Sequence, residues 1–478
     1  MATLVWFRAD LRTVDNTALA LACACDEPVV GVFLIAGDQW RRHDWATVKV
    51  DLVLRTLGEL SRRLRELNIA LLVRRADRFD DAPGVLVEVA REQGCTRLFF
   101  NREYEVNERR RDEAVIAAFE EAGLEALGFD DQTVMAPGSV LTKELRPYTV
   151  FTPFKKAWIA AARERGGVLP KKAPAVRARM VGAPEPVPDR VAGFTGLVRP
   201  DLWPGGEEHA RDRLKKFTRG RIASYKQDRD TPGINGTSVL SPYLAIGAIS
   251  PRQCLKAALE ANEGRYDEGN AGCVQWISEL VWREFYKHLI AAFPRLCMGR
   301  AFKPETEKLR WREDDEGFAA WCEGRTGVPI VDAAMRQLVQ TGWMHNRLRM
   351  ITAMYLTKDL FIDWRRGERF FMQNLVDGDL AQNNGGWQWS ASTGTDAAPY
   401  FRIFNPVSQS RACDPEGKFI RKFVPELAGL DDDAIHEPWT LPPMARSGIR
   451  YPEKPVADHV EARKRVLEEF KRIGAGKG

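Results

Sequence analysis

The sequence predicts two architectures in one chain: a doubly wound parallel α/β sheet, then an all-helical part. Two patterns carry this. In the first third, short β-rich runs alternate with amphipathic helical stretches, the pattern of parallel strands joined by crossover helices. From about residue 201 onward, strand patterns largely vanish and helix-period segments dominate. Between them lies KKAPAVRARMVGAPEPVPDRVAG, rich in proline, alanine and valine without lasting periodicity, which reads as a connector. The expected division is an α/β domain over 1–130, a connector over 131–200 and an all-helical domain over 201–478.

The elements follow in order. Candidate strands cover 3–7, 29–35, 70–74, 97–101 and 125–129, with helices such as 48–67 and 85–93 between them. WFRADLRTVDN follows the first strand where a dinucleotide-binding chain would carry G-x-G-x-x-G. A dinucleotide on this sheet is disfavoured, although the strand C-termini remain open to another ligand. In the helical part, 274–292, 330–341 and 347–360 carry apolar positions at helical spacing, and 457–472 reads as one charged helix.

Composition narrows the function classes. The 478 residues carry a net charge of +5, and the isoelectric point is about 8.7. That is below the pI above ~9 of domains that grip nucleic acid by charge alone, so nucleic acid is permitted without being required. Eight cysteines are scattered, none forms CxxC, and the six histidines do not cluster with them. This argues against zinc or an iron–sulfur cluster and for reduced thiols. The N-terminus turns polar after seven residues, and no apolar run nears the ~20 residues of a membrane span. The expectation is a cytoplasmic protein with no membrane association.

Four constellations carry chemistry. The run 374–406, NLVDGDLAQNNGGWQWSASTGTDAAPYFRIFNP, combines three aspartates, paired asparagines, a Gly-Gly step and Trp-x-Trp. Hydrogen-bonding side chains beside flat aromatics and permissive glycines point to a pocket for a large planar molecule with polar edges. In WISELVWREFYKHLI, Trp276, Glu279, Trp282, Arg283 and Tyr286 share a helix face suited to lining a site. Glu284 and His288, on the apolar side, read as a buried hydrogen-bonded pair that holds the helix. In TGWMHNRLRMITAMYL, Asn346, Arg349, Met350 and Ala353 share a face, and Arg349 needs a partner, for which Asp377 and Asp379 are candidates; by itself this reads as a structural ion pair. In NGTSVLSPYLAIGAIS, Ser241 before Pro242 predicts an N-cap with proline at the first helical position, a weak phosphate signal. Trp311, Trp364 and Trp387 recur on the helical scaffold; a close set of oxidisable indoles could relay electrons, but sequence spacing does not show closeness in space.

The blocks GTSxLSPYL, SELVWREFYKHLI, TGxPIVDAAMRQL, TGWMHNRLRMITA and DGDLAQNNGGWQWSASTGTDAAPYFRIFNP together resemble the photolyase/cryptochrome family, most closely bacterial class I cyclobutane pyrimidine dimer photolyases of the folate type. The resemblance spans nearly the whole chain and implies a non-covalent FAD in the helical domain, active when reduced. On matching positions, Tyr225 with Thr237, Ser238, Val239, Leu240 and Ser241 would hold the pyrophosphate and its surroundings. Trp276, Glu279, Arg283 and Asn346 would line the site, Arg349 would pair with Asp377 beside the isoalloxazine, Asp379 would position the cofactor, and Asn383 would face flavin N5. The lesion would be held by Glu279, Trp282, Arg283, Asn346, Arg347, Met350, Trp389 and Arg402, with Glu279, Asn383 and Met350 acting in catalysis. Trp387, Trp364 and Trp311 match the family's photoreduction relay, ordered from flavin to surface.

The resemblance further implies an antenna chromophore in the N-terminal domain. His43, Asn107 and Glu108 match positions that bind methenyltetrahydrofolate. Met298 stands after Cys297 where a folate-type relative has lysine, so a deazaflavin, or no antenna, stays open as the alternative. The implied partner is DNA containing pyrimidine dimers, bound by a monomer with no obligate protein partner. The alternatives weighed are a cryptochrome, which carries aspartate or cysteine where Asn383 stands, and a (6-4) photolyase, which places histidines where Asn346 and Met350 stand. Both substitutions favour light-driven splitting of cyclobutane dimers.

Overall fold

The computed structural model describes residues 2–165 and 169–474; residues 166–168, within the expected connector, lie outside the described residues. The chain divides into two compact units. The first holds Met1–Lys226, Ser238–Pro294 and Val376–Ala381; the second holds Gln227–Thr237, Arg295–Leu375 and Gln382–Gly478.

In the first unit, β1 (Ala2–Phe7), β2 (Val29–Ile35), β3 (Ala70–Arg75), β4 (Cys95–Asn101) and β5 (Glu125–Phe129) form one sheet in the order β3-β2-β1-β4-β5. All the pairings are parallel, with Leu4 opposite both Val30 and Leu98. β1 and β2 are buried along their whole length, which is why they read as continuous apolar runs and do not alternate. Trp6, Val30, Leu98 and Phe100 pack with Leu86 and Val89 of helix Ala82–Glu92 and with Val115 and Phe119 of helix Val106–Glu121. Helix Ala82–Glu92 starts before the expected residue 85 because Pro83 fits the first turn, where no N–H is needed. The stretch after residue 169 runs beside the edge strand β3: the Glu185 N–H donates to Leu71 O at 2.9 Å and its carboxylate accepts from Val73 N at 2.7 Å. Those bonds use edge groups that would otherwise be open to pairing with another strand.

The strand order reverses between β1 and β4, so the loops leaving these strands diverge at their C-terminal ends. Asp131, just beyond β5, is fully buried and ion-paired to Arg12 from the loop after β1 and to Arg252 of helix Pro251–Ala261, the latter at 2.6 Å. The next residues are gripped by helix Ala271–Ala292. Arg283 donates to Gln132 O at 2.7 Å, and Glu284 accepts from the backbone N–H groups of Val134 and Met135 and from Trp158 Nε1. Glu284 and His288 are both buried as expected, but they are not bonded to each other. Each bonds the 134–135 backbone, His288 Nε2 meeting Met135 O at 3.0 Å. Their position one turn apart matches two consecutive polar groups of an irregular strap, which a sequence pattern does not display.

The second unit is helical. Its core gathers Trp321, Ile330, Met335, Leu348, Ile351, Leu356, Trp364, Phe371 and Trp387 around helices Pro329–Thr341, Asn346–Met354 and Trp364–Asn374. The helix expected over 347–360 ends at Met354 and continues as a π-turn over Tyr355–Asp359, closed by Leu360 N to Tyr355 O. Two buried charged residues sit on that turn. Lys358 Nζ donates to Ser392 Oγ at 2.9 Å, and Asp359 pairs with His459 Nδ1 at 2.6 Å. No helix among the described residues is long and apolar enough to cross a membrane.

Burial pushes the Glu284 carboxyl up while its N–H donors pull it back. Glu284→Gln is expected to destabilise the protein by about 1–3 kcal/mol, because an amide NH2 would then face an N–H donor. Urea unfolding followed by circular dichroism checks this, and an unchanged midpoint would contradict it.

Candidate functional site

In the first unit the 271–292 helix presents the face read from sequence. Gly272 permits the helix start to press on the preceding turn, since a Cβ there would lie 2.1 Å from Ile222 O. Trp276 packs on Phe217 at 5.1 Å, and Phe217 also meets Tyr225 at 5.7 Å, so both residues join one aromatic cluster. At the other margin of the face, Trp282 stacks on Phe151 with centroids 3.6 Å apart and planes 7° from parallel. One side of Trp282 is therefore already covered by the chain. Between the tryptophans lies Glu279, which accepts from Gln275 Nε2 at 2.7 Å.

The loop before helix Ser241–Ala245 departs from expectation. Leu240 occupies the N-cap and Ser241 is itself helical, so proline falls at the second helical position. Val239 adopts φ of +50°, costly for a β-branched residue and a signal, invisible in the sequence, that this loop is held in a special shape. Ser238, Val239, Leu240 and Ser241 belong to the first unit and Thr237 to the second.

Asp377 and Asp379 also belong to the first unit. Asp377 is buried, and Asp379 pairs with Lys287 at 3.0 Å. Lys287 also bonds Glu105 at 2.8 Å, and Lys49 Nζ donates to Gly378 O at 2.7 Å. Neither lysine was singled out from the sequence. The available signal was Lys287's place on the 271–292 helix, at the border between the apolar side and the site-lining face.

His43, Asn107 and Glu108 come together beyond the C-terminal ends of β2 and β4. His43 Nε2 lies 2.8 Å from the Gln39 amide nitrogen and 3.1 Å from that of Asn107, while Nδ1 faces Glu108 at 3.4 Å. Two amide donors on Nε2 assign the proton to Nδ1. Burial lowers the His43 pKa. Burial, with Glu105 and Glu103 nearby, pushes the Glu108 carboxyl up to about 8, so it carries a proton at neutral pH. Cys297 and Met298 belong to the second unit, where Met298 is exposed.

In the second unit, Asn383 is only 9% exposed on helix Leu380–Ala391, and its amide donates to Glu368 O at 2.9 Å. The next residue, Asn384, donates to the Glu368 carboxylate at 2.8 Å and accepts from Gln388, one turn on, at 2.9 Å, bracing the helix through its own polar stripe. Trp364 and Trp387 are 1% and 2% exposed in the same core, and Trp311 packs against it half-buried. All three thus contribute to one core cluster. Trp387 also meets Phe371 at 4.9 Å and Trp321 at 5.9 Å.

His345 caps the helix that starts at Asn346 by accepting from Arg347 N, and burial lowers its pKa to about 4. Asn346 is exposed, Met350 half-buried, Arg347 paired with Asp230 at 2.8 Å, and Arg349 Nε donates to Met344 O at 2.9 Å. Trp389 is half-buried, and Arg402 lies 6.0 Å over Phe404. The residues fit a flavin in one respect: Asn383 Oδ1 accepts no hydrogen bond from the described residues, so an acceptor is available for a ring N–H.

Residues 3–176 match the family model for DNA photolyase, and residues 276–472 match that for the FAD binding domain of DNA photolyase. The chain is 46% identical to the deoxyribodipyrimidine photo-lyase of Vibrio cholerae, over 98% of this chain and 99% of the relative. It is equally 46% identical to that of Escherichia coli, over 99% of both. Among solved structures it resembles a class III photolyase from Agrobacterium tumefaciens (TM-score 0.86, 34% identity, 99% of this chain and 98% of that one). It also resembles a Synechocystis cryptochrome (TM-score 0.88, 27% identity, 98% of both). An archaeal photolyase from Sulfolobus tokodaii, solved with two FAD molecules, matches at TM-score 0.79 and 30% identity over 99% of this chain and 100% of that one.

A Cβ on Gly367 would lie 2.1 Å from Trp387 Cη2. Gly367→Ala is therefore expected to displace the Trp387 indole and cost about 1–3 kcal/mol. Near-UV circular dichroism and the melting temperature check both effects, and a wild-type spectrum would contradict the displacement.

Proposed function

The chain belongs to the DNA photolyase family, and from that premise we propose how its own residues carry out light-driven repair of pyrimidine dimers in DNA. The observation that carries the reading is 46% identity to two deoxyribodipyrimidine photo-lyases over 98–99% of the chain. The cryptochrome likeness, at 27% identity, is weaker. The chain binds FAD and acts on DNA that contains pyrimidine dimers. When bound and reduced, FAD supplies on illumination an electron that splits the cyclobutane ring and afterwards returns, with no net redox change.

Tyr225, Thr237, Ser238, Val239, Leu240 and Ser241 hold the cofactor's pyrophosphate region, and the fixed shape at Val239 keeps that loop ready. Trp276, Arg283, Asn346, Arg349, Asp377 and Asp379 fix the rest. Asn383, neutral and held by Glu368 O, keeps its carbonyl as an acceptor and tolerates an anionic ring where aspartate would repel it.

Trp282, rigid against Phe151, offers its remaining face to a flipped-out dimer, and Trp389 supplies a second apolar wall. Glu279 and Asn346 hydrogen-bond the base edges, Met350 packs beside the ring, and Arg347 and Arg402 hold flanking phosphates. A damaged pair costs less to unstack than an intact one, which favours the lesion. Trp387, Trp364 and Trp311 would relay electrons from a reductant in solution toward the cofactor, preparing its reduced form before repair. His43, Asn107 and Glu108 would hold a methenyltetrahydrofolate antenna, the protonated Glu108 serving as a hydrogen-bond donor to it. The protein acts as a monomer in the cytoplasm.

Purified protein with reduced flavin is expected to remove thymine dimers from DNA under near-UV or blue light, and persistence of the dimers would refute the function. Trp387→Phe should block photoreduction while pre-reduced enzyme repairs within about twofold of the parent; loss of that repair would remove Trp387 from a relay-only role. Because Glu108 is protonated below about 8, folate absorbance should be retained at pH 7 and lost as pH rises through that value. Glu108→Gln should flatten this dependence, and an unchanged pH profile would remove Glu108 as the donor.

A further inference from the structure

The segment Val376–Ala381 clusters with the first unit, although the chain on either side clusters with the second. Two buried ammonium groups account for its place there. Lys49, on helix Thr47–Glu66, donates to Gly378 O at 2.7 Å while its Nζ lies 3.7 Å over the Trp45 ring. Lys287, on the 271–292 helix and with its side chain only 4% exposed, bonds Asp379 at 3.0 Å and Glu105 at 2.8 Å. Two lysines, Asp379 and Glu105 thus surround one short peptide turn. Nothing in the repair mechanism above uses either lysine.

We infer that Lys49 and Lys287 are positioning residues that clamp the Gly378–Asp379 turn, and that this clamp governs how tightly FAD is retained. The inference rests on the reading of Asp379 as a cofactor residue. Lys287 orients the Asp379 carboxylate through an ion pair, and Lys49 fixes the preceding carbonyl, so the turn is held at side chain and backbone alike. A carboxylate in this setting without its ammonium would either turn toward solvent or take up a proton. Burial lowers the Lys287 pKa, but Asp379 and Glu105 outweigh it and hold the group well above its ordinary value, so the cation persists across the physiological range. Burial brings Lys49 down to about 8, with Asp379 opposing the shift. Glu105, the other partner of Lys287, immediately precedes helix Val106–Glu121, whose first turn carries Asn107 and Glu108. One ammonium therefore secures the flavin turn to the element that carries the antenna residues.

The test is the rate of FAD release from purified holoprotein on dilution, followed by flavin fluorescence. Lys287→Met should release FAD at least tenfold faster, and Lys287→Arg, which can still bridge both carboxylates, should stay within threefold of the parent. Asp379→Asn should match Lys287→Met, and the double variant should be no faster than either single one, because the pair acts as a unit. Fast release from Asp379→Asn with parental release from Lys287→Met overturns the clamp and leaves the cofactor assignment standing. Parental release from Asp379→Asn overturns both. Melting temperatures of the FAD-free variants separate a general loss of stability from a specific loss of retention. If Lys287→Met fails to fold, Lys49→Met carries the test: release about threefold faster supports the clamp, and parental release overturns it.

Discussion

A single buried carboxylate, Asp131, shared between the guanidiniums of Arg12 and Arg252, is the interaction on which the first unit depends. Burial alone would raise its carboxyl; the two arginines outweigh that and hold it well below the ordinary carboxylate range. Arg252 also bonds Asp15, and Asp131 accepts from the Thr17 hydroxyl at 2.7 Å, so the loop after β1 is fixed together with the strap after β5. Removing one partner from such a network leaves an unpaired buried charge, a penalty of about 3–5 kcal/mol. The charges are affordable only as a set, which gives the loops one arrangement.

From that set the site-bearing helix is aligned. The residues that follow Asp131 present Gln132 O, the Val134 and Met135 amides and Met135 O, and the 271–292 helix answers with Arg283, Glu284 and His288. Those bonds set the rotation of the helix and thus the direction of Trp276, Glu279 and Trp282. The same helix contributes Lys287 to the Gly378–Asp379 turn. One element thereby converts a loop network at the strand ends into the placement of candidate cofactor and lesion residues. The second unit holds its own residues differently, by close packing: Trp364, Trp387 and Phe371 share one buried core, and Gly367 leaves room for the indole.

Much of this was legible in the sequence for physical reasons. A parallel strand buried on both faces must be continuously apolar, so the bounds of the second strand emerged unchanged at 29–35. The site-lining face of the 271–292 helix was visible because helical periodicity maps sequence directly onto sides. The N-cap before Pro242 was misplaced by one residue, because capping depends on dihedral angles that Ser-Pro permits in more than one register. The partners of Glu284 and His288 were missed because they are backbone atoms of an irregular strap, and backbone polarity is the same at every position.

The division follows from the range of each force. Sequence by itself determined what periodicity and chemical specialisation can encode: the parallel sheet, the helical remainder, and a run from 374 to 406 whose motifs resemble those of the photolyase family. Only the tertiary structure decided which buried charges meet. Asp131 with Arg12 and Arg252, and Asp379 with Lys287, are pairings between residues far apart in the chain. An unpaired charge is ruled out of the interior whatever its sequence neighbours, but which partner satisfies it is set by the packing that brings the elements together.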